Sequence, residues 1–178
     1  WPCDTVPEIH ALSVHDRMTG QPRYRDLISA WLQAVTLRLD PETGLLPHIG
    51  NGADGTDTTV ARATSQVIML RLLPDIDANF AKDQYLIFRE RFFTSFLGLP
   101  CVQEYPTGIT GQGDVDSGPL IFGRSISGTV MMMGVAQVYG DHDFANAIAK
   151  TGEVVGLPWT SDEKKPRSPV YFRLAISS

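Results

Sequence analysis

The sequence predicts an all-α protein made of three tandem antiparallel helical hairpins. Three observations predict this fold: apolar residues recur at helical spacing, short and long connections alternate, and a short motif recurs along the chain. Each hairpin pairs an inner helix that is apolar or small nearly all round with an amphipathic outer helix. A helix that is apolar on every side is buried, whereas an amphipathic helix keeps one side in water. We therefore expect three inner helices covered by three outer ones.

The elements follow one another in chain order as inner and outer helices. The predicted pairs are 5–16 with 24–39, 59–73 with 77–97, and 119–139 with 142–153. The last apolar run, 170–176, has the β-branched and aromatic composition of a short C-terminal strand. We divide the chain accordingly into a helical-hairpin domain over 1–157 and a C-terminal extension over 158–178.

The connections predict that the long loops lie on one face. The joins from inner to outer helix are short, whereas those over 40–58 and 98–118 are long and rich in Gly, Pro and Asp. Between antiparallel helices this alternation puts every long loop at the end where the inner helices start. The recurring motif marks these starts, as Asp-Thr-Val at 4–6, Asp-Thr-Thr-Val at 57–60 and Asp-Ser-Gly-Pro at 116–119.

The composition and the motifs argue against several classes of binding partner. The 15 Lys and Arg residues against 20 Asp and Glu leave a net charge of −5, and no basic stripe could neutralise nucleic-acid phosphates. The longest largely apolar run, 126–138, is too short to cross a membrane. The sequence shows no signal peptide, which favours a soluble chain and leaves its compartment open. Spacings typical of calcium, zinc or dinucleotide sites are absent, so no metal or cofactor is expected.

Three strings resemble those of the α/α-toroid, or six-hairpin, superfamily. They are WPCD, DPETGLLPH and GDVDSGP, at predicted helix starts and loops. That superfamily includes many glycoside hydrolases, polysaccharide lyases and sugar epimerases, and also linalool dehydratase-isomerase. The resemblance implies part of an (α/α)6 toroid that acts on a small molecule or oligosaccharide. Such a ring needs about six hairpins, so it also implies that a longer parent chain or another subunit supplies the rest.

The candidate catalytic residues are the carboxylates Asp116, Asp114 and Glu104. They lie in the long loop before the third inner helix, and hydrolysis of a glycosidic bond needs one carboxyl as proton donor and another as nucleophile or base. Crowded carboxylates also acquire different pKa values, which separates the acid from the base. Asp114 has no evident structural duty in its Gly-rich segment, whereas Asp116 could instead cap a helix.

Seven further residues are candidates for binding substrate. The arginines are costly to bury without a carboxylate or ligand, the aromatic rings could stack on a sugar, and the histidine titrates near neutral pH. The two aspartates would lie at the mouth of the cavity or act only as helix caps. An Arg124–Asp pair is expected in either case, to hold an acid in place or as a structural pair. The seven are Arg124, Arg62, Tyr105, Trp1, Asp4, Asp57 and His48.

These residues predict a carbohydrate-active hydrolase or lyase that uses carboxylates as acid and base. A second hypothesis is a lyase or isomerase acting on an apolar alcohol, similar to linalool dehydratase-isomerase, in which Cys3 and Cys101 would matter. A third is a non-catalytic helical binding domain whose aspartates only cap helices. Whether Cys3 and Cys101 form a disulfide stays open.

Overall fold

A computed structural model describes residues 2–51, 57–155, 159–160 and 166–167. Within these residues the helices are α1 Pro2–Thr19, α2 Arg25–Thr36, α3 Ala63–Leu72, α4 Ala78–Phe92, α5 Ile126–Val138 and α6 His142–Val155, with a 3-10 turn at Leu73–Asp75 after α3. The strands are β1 Gly50–Asn51, β2 Asp57–Thr58, β3 Phe93–Phe96, β4 Leu99–Gln103, β5 Arg124–Ser125, β6 Trp159–Thr160 and β7 Pro166–Arg167. The strand predicted at 170–176 lies outside the described residues.

The all-α prediction is wrong, because the structure is mixed α/β. Strands β3, β4 and β5 form a three-stranded antiparallel sheet in that order, with Phe93 opposite Val102 and Val102 opposite Ser125. The pairs β1–β2 and β6–β7 are two-residue antiparallel ladders. Segment 98–118, predicted as loop, supplies the central strand of the sheet. The chain is therefore not a fragment of an all-α toroid.

The second outer helix ends at Phe92, not near residue 97. The aromatic spacing through Phe88, Phe92 and Phe96 continues the helical period, but the backbone becomes extended at Phe93 and pairs as β3. Leu97 and Gly98 then form a two-residue hairpin turn with φ of 52° and 80°. Positive φ at both central positions matches the twist of the flanking strands, which is why such turns join tight hairpins.

The recurring aspartate motif does not mark three helix starts. Asp4 lies in the first turn of α1, but Asp57 belongs to β2 and Asp116 to the loop before β5. Helix α5 begins only at Ile126 and is capped by Ser125, whose Oγ accepts the Gly128 N–H at 3.1 Å. A single cap is needed at that end, so capping does not explain Asp116.

Helix α3 forms the centre of the core, as predicted for an inner helix. Its buried residues include Val67, Met69 and Leu70, and α1, α4 and α5 contact it. The other predicted inner helices are less covered: in α1 only Val6 and Ile9 are buried, and in α5 Ile126, Met131 and Val138 are more than 40% exposed. No described helix has the length and hydropathy to cross a membrane.

The segment that follows α2 is packed into this core. Leu45 and Leu46 are fully buried, and the Gln84 side chain of α4 accepts the Leu46 N–H and donates to Gly44 O, both at 2.9 Å. Asp40, 3% exposed, accepts the Ala61 N–H at 3.1 Å. Because buried backbone groups need partners, these bonds fix the segment after α2. They thereby position His48 next to the start of α3.

Candidate functional site

The N-terminal ends of α1, α3 and α5 meet beside the loop that precedes β5. A side-chain carbon built on Gly128 of α5 would lie 3.6 Å from Cβ of Ala63, the first residue of α3. Ser127 donates to the backbone oxygen of Ser117 at 3.0 Å, which joins the loop to α5. Cys3, in the first turn of α1, lies near Ser65 of α3.

Arg62, the residue before α3, connects this end of the molecule to two carboxylates. Its Nε donates to Glu104 Oε1 at 3.1 Å, and its Nη1 forms a short contact with Asp114 Oδ2. The Glu104 side chain is completely buried, and its Oε2 accepts from Thr64 Oγ1 at 2.6 Å. The backbone oxygen of Glu104 also accepts the Ala63 N–H at 2.9 Å. Both oxygens of this buried carboxylate are therefore bonded.

A tight turn over 114–117 presents the other two carboxylates. Asp114 Oδ1 accepts the N–H groups of Asp116 at 3.1 Å and Ser117 at 2.9 Å, and Ser117 Oγ accepts the Asp114 N–H. Partial burial favours a higher pKa for Asp114, but the Ser117 N–H and the Arg62 guanidinium outweigh it and lower its pKa. Asp116 is exposed, and the described residues provide no hydrogen bond or ion pair to its carboxylate.

Tyr105 packs against Arg62 and bonds to the loop that leads to Asp114. The Arg62 guanidinium carbon lies 5.0 Å from the centre of the tyrosine ring, and the tyrosine hydroxyl donates to Gln112 O at 2.9 Å. The backbone of Gly111 packs on this ring so closely that an added Cβ would lie 2.3 Å from it. Glycine is therefore needed there, and the segment from Tyr105 to Asp114 is held at both ends.

His48 lies at the buried edge of the group. It is 8% exposed, and its Nδ1 is 2.6 Å from Ser65 Oγ. Burial lowers the pKa of His48, and the charge of Arg62 lowers it further, whereas the nearby carboxylates of Asp114, Glu104 and Asp116 oppose the shift. The imidazole is therefore neutral at pH 7, with negative charge close by.

A pH-dependent stability follows from this histidine. Because its pKa in the folded protein lies below the ordinary value of 6.5, the unfolded chain binds more protons as the pH falls through 6.5. The stabilisation that depends on neutral His48 is therefore fully present above pH 6.5 and is lost as the pH falls below it. The free energy of unfolding then declines by at most about 1.4 kcal/mol per pH unit. Urea unfolding between pH 7.5 and 5.5 should show a steeper decline for the wild type than for His48→Gln. Parallel profiles would contradict this assignment, because His48 is the only difference between the two proteins.

Other predicted site residues are not brought into this group. Arg124 does not form the expected pair with an aspartate: it donates to Phe122 O, and its guanidinium carbon lies 5.4 Å from the centre of the Phe96 ring. Asp4 is exposed on α1. Trp1 lies outside the described residues, and nothing is described of the Asp57 side chain. Cys3 and Cys101 are both free thiols, so they do not pair.

Sequence reasoning missed Thr64, Ser65 and Ser117, which complete the bonding of the group. Their hydroxyls contact Glu104, His48 and Asp114 respectively. A signal for Ser117 was present, since Asp-x-x-Ser commonly forms a turn closed by reciprocal side-chain and backbone hydrogen bonds. No comparable signal marked the two α3 residues, because small polar residues at the start of a helix are ordinary.

A separate cleft of about 530 Å³ lies at the C-terminal end of α1. Residues of α1, α2 and the chain after the 3-10 turn line it, among them Arg17, Arg25 and Asp77. It contains none of the residues predicted for the site. The carboxylate group therefore lies outside this cleft.

No protein family, curated protein or solved structure matches this chain. Any function assigned to it therefore depends on its own residues.

Proposed function

We propose that the chain binds a hydroxylated, carbohydrate-like ligand beside the 104–117 loop and acts on it by hydrolysis or elimination. The observation that carries this proposal is the 114–117 turn, in which two neighbouring carboxylates have different surroundings. Asp114 is held ionised by Arg62 and backbone N–H groups, whereas Asp116 is exposed and not engaged by the described side chains. Carboxyl groups kept in different environments are the usual means of separating acid and base roles.

The roles follow from these surroundings. We assign proton transfer to Asp116, because its carboxyl group is accessible to a ligand. We assign to Asp114, 38% exposed and anionic, the stabilisation of positive charge that develops on a sugar ring. Glu104 is buried and bonded through both oxygens, so its role is to position Arg62. The partly exposed ring of Tyr105 supplies an aromatic surface suited to a sugar face.

The second enzyme hypothesis, a lyase or isomerase acting on an apolar alcohol, has less support. Cys3 lies in α1 near Ser65 of α3, whereas Cys101 lies in β4 near Arg124. The described contacts therefore do not join the two thiols into one group. A non-catalytic binding domain remains the alternative, and turnover separates it from an enzyme.

The Asp116→Asn variant tests the proposal. The chain is incubated with pectate, alginate, hyaluronan and xylan, while new reducing ends and the ultraviolet absorbance of unsaturated products are followed. We expect Asp116→Asn to lower turnover about 10²- to 10⁴-fold, with the free energy of unfolding unchanged within about 0.5 kcal/mol.

The matched control is Asp83→Asn, which changes an exposed carboxylate in α4 and should keep full turnover. Equal turnover by the wild type and Asp116→Asn would remove Asp116 from the chemistry. Binding of a polysaccharide without any product would favour the non-catalytic domain.

A further inference from the structure

The cleft at the C-terminal end of α1 has the size and the mixed lining of a small-molecule site. Its volume of about 530 Å³ lies within the roughly 300–1,000 Å³ that is usual for ligand pockets. Partly buried apolar side chains line it, Ile28 and Leu32 from α2 and Ile76 from the residue after the 3-10 turn. Charged side chains lie beside this apolar surface. The function proposed above uses none of these residues.

Arg25, in the first turn of α2, brings a positive charge to the cleft that the described residues do not neutralise. It forms no hydrogen bond, ion pair or ring contact with another described residue. Arg17 also lines the cleft, but its Nη1 is already bonded to Asp75 Oδ1. Asp16 is close to Arg25, since its Oδ2 accepts the Tyr24 N–H at 2.8 Å, yet the two charged groups are not paired. Arg25 can therefore bind the carboxylate of a ligand through two N–H groups.

Two aspartates bring negative charge to the same cleft. Asp16 bonds to the start of α2, and Asp77 caps α4 by accepting the Phe80 N–H at 2.8 Å through Oδ1. Asp77 Oδ2 accepts no hydrogen bond from a described residue. A carboxylate has about four acceptor positions, so both aspartates can accept further donors. This charge repels a ligand that is only anionic, whereas it attracts an ammonium group.

We infer that the cleft binds a free amino acid with an apolar side chain. Arg25 binds the carboxylate of the ligand, and Asp77 and Asp16 bind its ammonium group. The apolar side chain of the ligand packs against Ile28, Leu32 and Ile76, which are only partly covered by the protein itself. An analogue that lacks any one of the three groups loses the contacts of that group, so all three are needed for full affinity.

Titration of the protein with L-leucine, followed by amide NMR signals, tests this inference. We expect leucine to shift the signals of Ile28, Leu32 and Ile76 in a saturable way. Isocaproate lacks the ammonium group of leucine and isoamylamine lacks its carboxylate, so each should bind at least about 10-fold more weakly, as expected for lost hydrogen bonds between charged groups. Glycine lacks the apolar side chain and should bind more weakly by a similar factor of about 10.

Two variants test the charged groups of the protein. Arg25→Gln and Asp77→Asn should each weaken leucine binding about 10-fold or more. Asparagine caps a helix about as well as aspartate, so Asp77→Asn removes the charge and keeps the start of α4. Urea unfolding at pH 7.5 checks that each variant folds. The matched control is Arg71→Gln, which changes an exposed arginine of α3 outside the cleft and should leave the affinity unchanged.

Several results would overturn the inference. Isocaproate binding as tightly as leucine would mean that the ammonium group is not recognised, and equally tight isoamylamine would mean the same for the carboxylate. Unchanged affinity in Arg25→Gln, shifted signals elsewhere than around the cleft, or no saturable binding at millimolar leucine would contradict it as well. If Asp77→Asn does not fold, Arg25→Gln decides the test, because Arg25 has no bond to a described residue that its replacement would break.

Discussion

Replacing Glu104 with glutamine is expected to lower the free energy of unfolding by about 3 kcal/mol. The glutamate is fully buried and bonded to Arg62 and Thr64, so its loss leaves the charge of a nearly buried arginine with fewer partners. Removing one member of a buried ion pair is costly because the other was already stripped of water. The value falls at the lower end of the usual range because Asp114 still pairs with Arg62. Urea unfolding at pH 7 measures the change.

A control and a second variant distinguish the effect of the unpaired Arg62 charge on stability from the effect of a Glu-to-Gln substitution as such. Glu90→Gln makes the same substitution at an exposed position of α4 and should change the free energy of unfolding by less than about 0.5 kcal/mol. Adding Arg62→Met to Glu104→Gln removes the uncompensated charge and should recover part of the loss. If Glu104→Gln were as mild as the control, the buried ion pair would contribute nothing to stability.

Replacing Phe88 with alanine is expected to destabilise the protein by about 3–5 kcal/mol. Phe88 is fully buried; its ring stacks on Phe92 with a centroid distance of 4.7 Å and meets Phe93 edge-on at 6.0 Å. These rings pack together at the junction where α4 ends and β3 begins. The loss of stability therefore combines the lost hydrophobic burial of Phe88 with the cost of a cavity at that junction. Thermal or urea unfolding measures the overall change.

Hydrogen exchange shows whether the junction itself is loosened. In Phe88→Ala the amides of the β3–β4 ladder should exchange faster than those of α1, because the cavity opens next to β3. Leu86→Ala in the same helix removes a side chain that is 51% exposed and should cost less than about 1 kcal/mol. Equal losses in the two variants would mean that the aromatic cluster does not hold this junction.

The helices were predictable from the sequence, because apolar spacing indicates which faces can be buried. The sheet was not, for a reason visible in α4 and β3. Phe96 continues the four-residue spacing of Phe88 and Phe92, so the period gives no sign that the chain leaves the helix. In β4, Pro100 and the neighbouring glycines suggested a loop, although proline is tolerated there because Pro100 pairs only with Ser95 of β3, in a part of β4 that β5 does not reach. Tertiary packing therefore determined the secondary structure of both segments.

The sequence indicated which residue types could form the candidate site, but not which side chains would contact one another. Arg62 and Arg124 were both expected to pair with a carboxylate; Arg62 pairs with Glu104 and Asp114, whereas Arg124 pairs with no carboxylate of the described residues. The difference depends on how each backbone is oriented. Arg124 is in β5, where its guanidinium lies over Phe96, whereas Arg62 lies before α3 and reaches the loop. Sequence spacing contains no information on that orientation.

The bonds of Arg62 also bear on the order in which the protein assembles. They connect positions separated by 42 and 52 residues, so the loop that joins them closes only at a large entropic cost. Contacts between positions so distant in the chain slow folding, whereas the hairpin of β3 and β4 closes locally. We therefore expect the helices and this hairpin to form first, with the carboxylate group completed late. A ligand held by that group would bind the finished chain and not its folding intermediates.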